Sequence, residues 1–519
     1  MAITGGAASA AGGVDPSGGT APAGAAVTQS WPVAGQNLSD THYQAAETTI
    51  SAGNVSQLTP QWTLTTAGDV TATPTVAGNT VYVPDMGGKL WAVNAGTGQV
   101  VWSNPVASYT GIAGDISRTS PAITGNELIT GDGVDSSKLS AGARVFAVNR
   151  TTGALLWSVR VDSNPAAIIT GSPAVYNGVA YVGISSYEEG LASQPGYQCC
   201  TFRGAVVALS ATTGKILWKT YTVPSDNGGG DSNLPGYYAG GSVWGSAPAV
   251  DPGNGLLYVA TGNNYAVPAG VCIKPHQTQC TRPVQQDRFD SVLALKLSTG
   301  AVAWGYRTIE GDVSTGACPN VCGPDYDFGS SPNLFTTTNP VTGSPERLVG
   351  AGQKSGIYWA LHPSDGKLAW RTRIGPGGMG GGIEWGSAVG GARIYSAEAD
   401  TGHTAYTLAG SGPYAGHTVT SGSWTALNPA TGAIAWQTPD PQGAIDAGYV
   451  SAANGVVYAG SEATTGANMY ALDASTGAIL WSFASGGEVR SGAAIVSGRV
   501  YWGSGYRGGA NDKLYAFGL

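Results

Sequence analysis

The chain has 519 residues, of which only 11% are charged, with 81 glycines, 15 tryptophans and 24 tyrosines, and a formal net charge of −8. Little charge with abundant Gly and aromatic residues describes many short strands joined by tight turns and excludes a mainly helical protein. An acidic balance without a basic patch gives nucleic acid no footing, and no apolar run approaches the roughly 18 residues a membrane span requires.

In chain order, residues 1–28 are a Gly/Ala/Pro stretch without the basic and apolar regions of a signal peptide, and predict a flexible segment. "LTPQWTLTT" then reads as a lone strand carrying Trp62. From there one pattern returns seven times: "LWAVNAGTGQVVW", "VFAVNRTTGALLW", "VVALSATTGKILW", "VLALKLSTGAVAW", "YWALHPSDGKLAW", "WTALNPATGAIAW" and "MYALDASTGAILW". Each is a hairpin: an alternating strand, a polar turn ending in Gly, and a second strand ending in Trp. Two further strand-like runs precede each hairpin, as in "SPAVYNGVAYVGIS", so the repeat is a four-stranded antiparallel propeller blade, its strands called A to D from the inside outward. The chain ends in "KLYAFGL", a third strand without its fourth. The expectation is therefore all-β: one eight-bladed β-propeller over residues 29–519, closed by the N-terminal strand pairing with the C-terminal blade, which leaves no open edge. The repeated tryptophans are expected to pack between blades and carry no chemistry.

The six cysteines fall in three close pairs, 199/200, 272/280 and 318/322. Local pairing of an even number suggests disulfides and an oxidising compartment, so a periplasmic or secreted protein is expected. Cys318 and Cys322 in "CPNVC" lack the further ligands of a zinc site, and no C-x-x-C-H marks a c-type haem. Adjacent Cys199 and Cys200 close almost no loop, so a bond between them would add little by chain entropy.

Blade topology puts the starts of strands A and C and the ends of strands B on one face, and the unusual residues fall there. They are Arg118 and Thr170 at the starts of the second and third blades, Ser186, Glu188 and Glu189 in "ISSYEEG", and Trp244 in "VWGSA". Asn263 follows in "ATGNN", then Asp287 and Asp290 in "DRFDSV", Lys354 in "GAGQKSG" and Trp385 in "IEWGSA". Carboxylates with an amide oxygen suit a hard cation such as Ca²⁺. Long insertions at about 187–203, 264–290 and 311–333 are expected to build the rim of this funnel.

With "SSYEEG", "CCTFRGAVVAL", "VWGSAPAVDP", "ATGNN", "GPDYDFGSSP" and "GAGQKSG", the chain from about residue 30 onward resembles the quinoprotein alcohol dehydrogenases that bind pyrroloquinoline quinone (PQQ), and within them the polyvinyl alcohol dehydrogenase branch. The resemblance implies a disulfide between Cys199 and Cys200 lying against one face of PQQ, with Trp244 stacked on the other. It implies Arg118, Thr170 and Ser186 holding the quinone's polar groups, with Trp385 beside them, and Lys354 donating to the quinone oxygens. Glu189, with Glu188 as alternative, and Asn263 are implied as Ca²⁺ ligands. Asp290, also near the metal, is favoured over Asp287 as general base. The double cysteine stands one blade later than in methanol dehydrogenases. No haem segment is recognisable, so electrons from the alcohol substrate are expected to pass to a separate acceptor such as a cytochrome c or a dye. A non-catalytic propeller scaffold, or a PQQ enzyme for sugars or aldehydes, are the alternatives.

Overall fold

The alternating strands and Gly turns of the repeat form eight antiparallel sheets arranged as blades. The protein is described from a computed structural model covering residues 29–133, 142–225, 237–245, 247–317, 322–506 and 511–519; the expected flexible segment 1–28 lies outside these. Blade 1 runs Thr75–Ala77, Thr80–Pro84, Lys89–Asn94 and Val100–Pro105. Blades 2 to 7 repeat that order, through Val450–Ala453, Val456–Gly460, Met469–Asp473 and Ile479–Phe483. Blade 8 is composite. Ala494–Val496, Arg499–Ser504 and Lys513–Gly518 are completed by Thr59–Thr65, whose register runs from Thr59 against Gly518 to Thr65 against Lys513. The expected ring closure by the N-terminal strand is thus present.

The tryptophans lock each blade to the next. In blades 1 to 7 the outer hairpin has one register shift next to the Trp, a local irregularity that re-aims a side chain. Seven indoles lie on the C–D turn of the following blade and donate Nε1–H to a carbonyl there: Trp62 to Ala95, Trp102 to Arg150, Trp157 to Ala211, Trp218 to Leu297, Trp304 to Pro363, Trp370 to Pro429 and Trp436 to Ala474; Trp481 donates likewise to Leu58, just before the outer strand of composite blade 8, all at 2.8–3.1 Å. The turn Gly is needed twice over. Gly214 has φ of 69°, and a Cβ there would come within 2.5 Å of Trp157. Trp436→Ala, which empties a site only 1% exposed, is expected to cost about 3–5 kcal/mol; a urea midpoint equal to wild type would contradict the locking role.

The structure adds a feature with no counterpart in the repeat. Residues 31–44 cross the inner ends of the blades and bond to seven of the eight innermost strands. Trp31 and Val76 exchange both backbone bonds at 2.8 Å. The carbonyls of Pro32, Leu38, Ser39, Thr41 and His42 accept from the N–H groups of Ile123, Val250, Leu334, Val389 and Ala452 at 2.6–3.0 Å. The Gln44 amide donates to Ile495 O. Leu38 packs on the apolar cluster shared by blades 3 and 4. The segment is an axial plug. It uses exposed N–H groups of inner edge strands that a propeller must otherwise leave to water.

Candidate active site

The ends of the inner strands surround a cavity of about 520 Å³, lined by Arg118, Thr170, Ser186, Glu189, Trp244, Asp327, Lys354, Glu384, Trp385 and Arg490 among others. That is an ordinary size for a small-molecule or cofactor site. Seven of the residues singled out in the sequence therefore meet on one wall: Arg118, Thr170, Ser186, Glu189, Trp244, Lys354 and Trp385. The indoles of Trp244 and Trp385 stand edge to face, 5.5 Å apart at 84°, and the Arg118 guanidinium lies 4.7 Å from the Trp385 ring centre. Below Trp385 the column continues through Tyr449 to His42 of the plug, at 5.8 and 5.7 Å between ring centres. Thr170 Oγ1 donates to Trp244 O at 3.0 Å, tying blade 3 to the turn that presents the indole.

One aspartate joins these groups. Asp327 accepts from Trp244 Nε1 at 2.7 Å and from the Asn263 backbone N–H at 2.6 Å, and lies 3.5 Å from Lys354 Nζ. Lys354 Nζ also reaches Asp325 at 3.2 Å and stands 5.3 Å from the centre of the Trp244 ring. Burial opposes the lysine's charge, but Asp327, Asp325, Glu189 and Glu384 outweigh it and hold its pKa well above the usual value. Glu189 is pushed up to about 7 by burial, partly offset by Lys354 and reinforced by Asp327 and Asp312. Burial also raises Asp312 to about 6 and takes Asp325 well above the normal range. So many carboxyls beside one lysine favour either retained protons or a bound cation.

Several of the expected positions lie off the cavity lining. Asp290 is not among the lining residues; it is fully buried behind them, and burial, with Asp312, Asp327 and Asp325 nearby, raises its pKa well above the usual value. Asp287 faces a different, outer pocket with Gln285, Arg288 and Arg307, and accepts from the Asn264 amide at 2.8 Å. Glu188 turns away from the cavity, into backbone N–H groups of the loop that follows it. Cys199 and Cys200 are joined in a disulfide but do not line the cavity; Cys200 packs in the blade 3 cluster with Phe202, Ala239 and Tyr265. Asn263 stays close, its amide donating to Ser314 O at 2.9 Å, although it is not among the lining residues. A disulfide also joins Cys272 and Cys280. Cys322 is disulfide-bonded as well, while Cys318 lies outside the described residues. Sequence reasoning gave Asp327 no role, although its signal was present in the quoted "GPDYDFGSSP", where two acids flank an aromatic residue inside a rim insertion.

At the inner-strand ends of a closed propeller the cavity thus joins a buried lysine and carboxylates to two tryptophans and two arginines, an arrangement suited to a flat ligand that carries anionic groups. Residues 31–374 match the family described as "Glucose/ethanol/alcohol dehydrogenase, beta-propeller domain" (PQQ), and residues 420–517 match one described as "Outer membrane protein assembly factor BamB". The chain is 31% identical to a polyvinylalcohol dehydrogenase of Pseudomonas sp over 88% of its own length and 70% of the relative's. It is also 31% identical to one of Sphingopyxis sp. (strain 113P3), over 89% and 71%. In fold it is similar to a quinohemoprotein alcohol dehydrogenase from Comamonas testosteroni, with a TM-score of 0.70 at 19% identity, covering 96% of this chain and 81% of that one. The chain belongs to the PQQ-dependent alcohol dehydrogenase family.

The residues present fit both a quinone cofactor and a cation. Trp244 and Trp385 offer aromatic surface, and Arg118, Lys354 and Arg490 offer donors for carboxylates and carbonyls. Oδ1 of Asp325 is buried with no hydrogen-bond partner, the kind of oxygen that a hard cation can satisfy. Among the described residues, no three His, Cys or carboxylate groups are spaced as a complete metal cage. Also among these residues, no helix is long and apolar enough to cross a membrane.

Proposed function

We propose that this protein oxidises alcohol groups, secondary alcohols or polyols including polyvinyl alcohol, with PQQ and Ca²⁺ held in the cavity and electrons passed to a separate acceptor such as a cytochrome c. The polymer substrate is suggested by the two relatives named for it. Glu189 and Asn263 would hold the cation, which takes its further oxygen ligands from the cofactor and water. When bound, PQQ supplies the two-electron acceptor and Ca²⁺ the Lewis acid that polarises it. The chain's own residues do the rest. Trp244 and Trp385 orient a flat ring, and Arg118, Thr170 and Ser186 offer donors to its polar edge. Lys354, kept charged by Asp327 and Asp325, donates to an oxygen that becomes anionic. Asp327, oriented by Trp244 Nε1 and the Asn263 N–H, takes the alcohol proton at a carboxylate oxygen.

The observation that carries this reading is Asp327 on the cavity wall, bonded at once to the stacking indole and to the Asn263 segment and ion-paired with Lys354. A passive scaffold gives no reason to bury such a group. The disulfides support a periplasmic or secreted setting. The test is to incubate the protein with PQQ and Ca²⁺, remove the excess, record the quinone absorbance, and assay secondary alcohols, polyvinyl alcohol, sugars and aldehydes with a dye acceptor. Turnover of sugars alone would move the substrate class; no retained PQQ would return the protein to the scaffold reading. Chelating Ca²⁺ with EGTA is expected to release PQQ and lower the melting temperature, since ligands that bind only the folded state stabilise it by mass action. A melting curve unmoved by EGTA in the loaded protein would count against the cation.

A further inference from the structure

Two features of the third blade are left unused by the proposed chemistry: a fully buried glutamate that points away from the cavity, and the disulfide beside it. Glu188 is 0% exposed, yet among the described residues no Lys, Arg or His pairs with it. Instead its carboxylate accepts from Thr201 N at 2.8 Å on both oxygens and from Phe202 N at 2.6 Å. It also accepts from Thr201 Oγ1 at 3.0 Å and from Tyr197 OH at 3.1 Å. Every donor belongs to the loop 197–202, in which Cys199 and Cys200 are joined. On its other side, Glu188 N donates to Ser186 Oγ at 2.9 Å, and Glu188 opens the single helical turn Glu188–Leu191. Ser186, Tyr187 and Glu189, its immediate neighbours, line the cavity.

We infer that Glu188 is a positioning residue: anchored by the disulfide-bearing loop, it sets the backbone from Ser186 to Glu189 and so aims the Glu189 carboxylate into the cofactor cavity. This rests on the proposed cation role of Glu189. A carboxylate suits the task because each of its oxygens faces a backbone N–H, Thr201 N on both and Phe202 N on one, and these groups can only donate. An amide in its place would put an N–H against one of them, and a buried donor left without an acceptor is costly. The disulfide then serves the cavity at one remove. It restricts residues 199 and 200 immediately before the two N–H groups that grip Glu188, and is not among the residues that line the cavity. Groups that orient a metal ligand commonly control affinity as strongly as weaker ligands do.

The experiment compares wild type, Glu188→Gln and the double variant Cys199→Ser/Cys200→Ser, each purified without cofactor. Terbium(III) is the cation probe, followed by tryptophan-sensitised luminescence and Ca²⁺ competition. Hydrogen exchange is measured on amides 186–192, and PQQ retention is measured in Ca²⁺. Glu188→Gln is expected to weaken cation binding by about 10-fold or more and to speed exchange across 186–192. The cysteine variant should shift both in the same direction by less. Wild-type cation affinity and wild-type exchange at 186–192 in folded Glu188→Gln would overturn the inference. Should Glu188→Gln not fold, the cysteine variant decides by the same two readings. Lost PQQ with unchanged cation binding and exchange in the cysteine variant would instead make the disulfide a direct cofactor contact. If wild type takes no cation, the site reading fails, and exchange with PQQ retention alone judges the positioning role.

Discussion

Asp327→Asn is expected to lower kcat for alcohol oxidation by about 10²- to 10⁴-fold, the range that a positioned general base supplies, while PQQ remains bound. The substitution keeps the volume but makes one of the two former acceptor positions a donor. It must therefore compromise one of the bonds from Trp244 Nε1 and Asn263 N, and some loss of cofactor affinity accompanies the loss of rate. A transition-state role shows as a fall in kcat and kcat/KM together, whereas a lost ground-state contact shows in KM alone. The matched control is Asp290→Asn. That carboxyl is fully buried off the cavity lining, and burial with Asp312, Asp327 and Asp325 raises its pKa, so an amide of the same shape should leave the rate within a few-fold of wild type. An inactive Asp290→Asn beside an active Asp327→Asn would reverse the assignment.

Lys354→Met should have a large effect on stability. The lysine pairs with Asp325 and Asp327 at 3.2 and 3.5 Å, in a site where it is itself 7% exposed. Removing one partner from a buried ion pair leaves uncompensated charge, at a cost of about 3–5 kcal/mol. Without Lys354, the neighbouring carboxyls that burial already pushes up, Glu189 to about 7 and Asp325 well above normal, lose the cation that pulls them down. They then hold protons in the folded state that the unfolded chain has released. Stability of the variant must therefore fall as pH rises above the unfolded carboxylate range, so the gap to wild type widens from pH 5 to pH 8. Melting curves of both cofactor-free proteins at the two pH values check this. A gap that narrows with rising pH would show that Lys354 is not what compensates these acids. Activity should fall with it, since the donor at the cavity is gone.

Much of the molecule follows from order along the chain. Period-two alternation, a turn Gly and a terminal Trp are local signals, and repetition makes them redundant, so eight blades, their strand order and the closure by "LTPQWTLTT" were readable without coordinates. The same regularity assigns strand ends to one face, which is why Arg118, Thr170, Ser186, Trp244, Lys354 and Trp385 could be named as cavity residues. The positions that lie off the cavity lining are in the insertions. Between Asp287, Asp290 and Asp327, or between Glu188 and Glu189, sequence offers equal chemistry. The outcome depends on where a loop of irregular backbone turns, and that is decided by bonds between residues far apart in the chain: Asn263 to Asp327, Thr201 to Glu188, Lys354 to Asp325. The plug of residues 31–44 is the extreme case. It has neither alternation nor a repeat, because its bonds to the inner strands of seven blades are main-chain ones in all but the Gln44 amide, and main-chain groups carry no residue signature. Sequence by itself determined the propeller and the place of its cavity; only the tertiary structure decided which carboxylate faces that cavity, since direction in a loop is set by long-range partners and not by period.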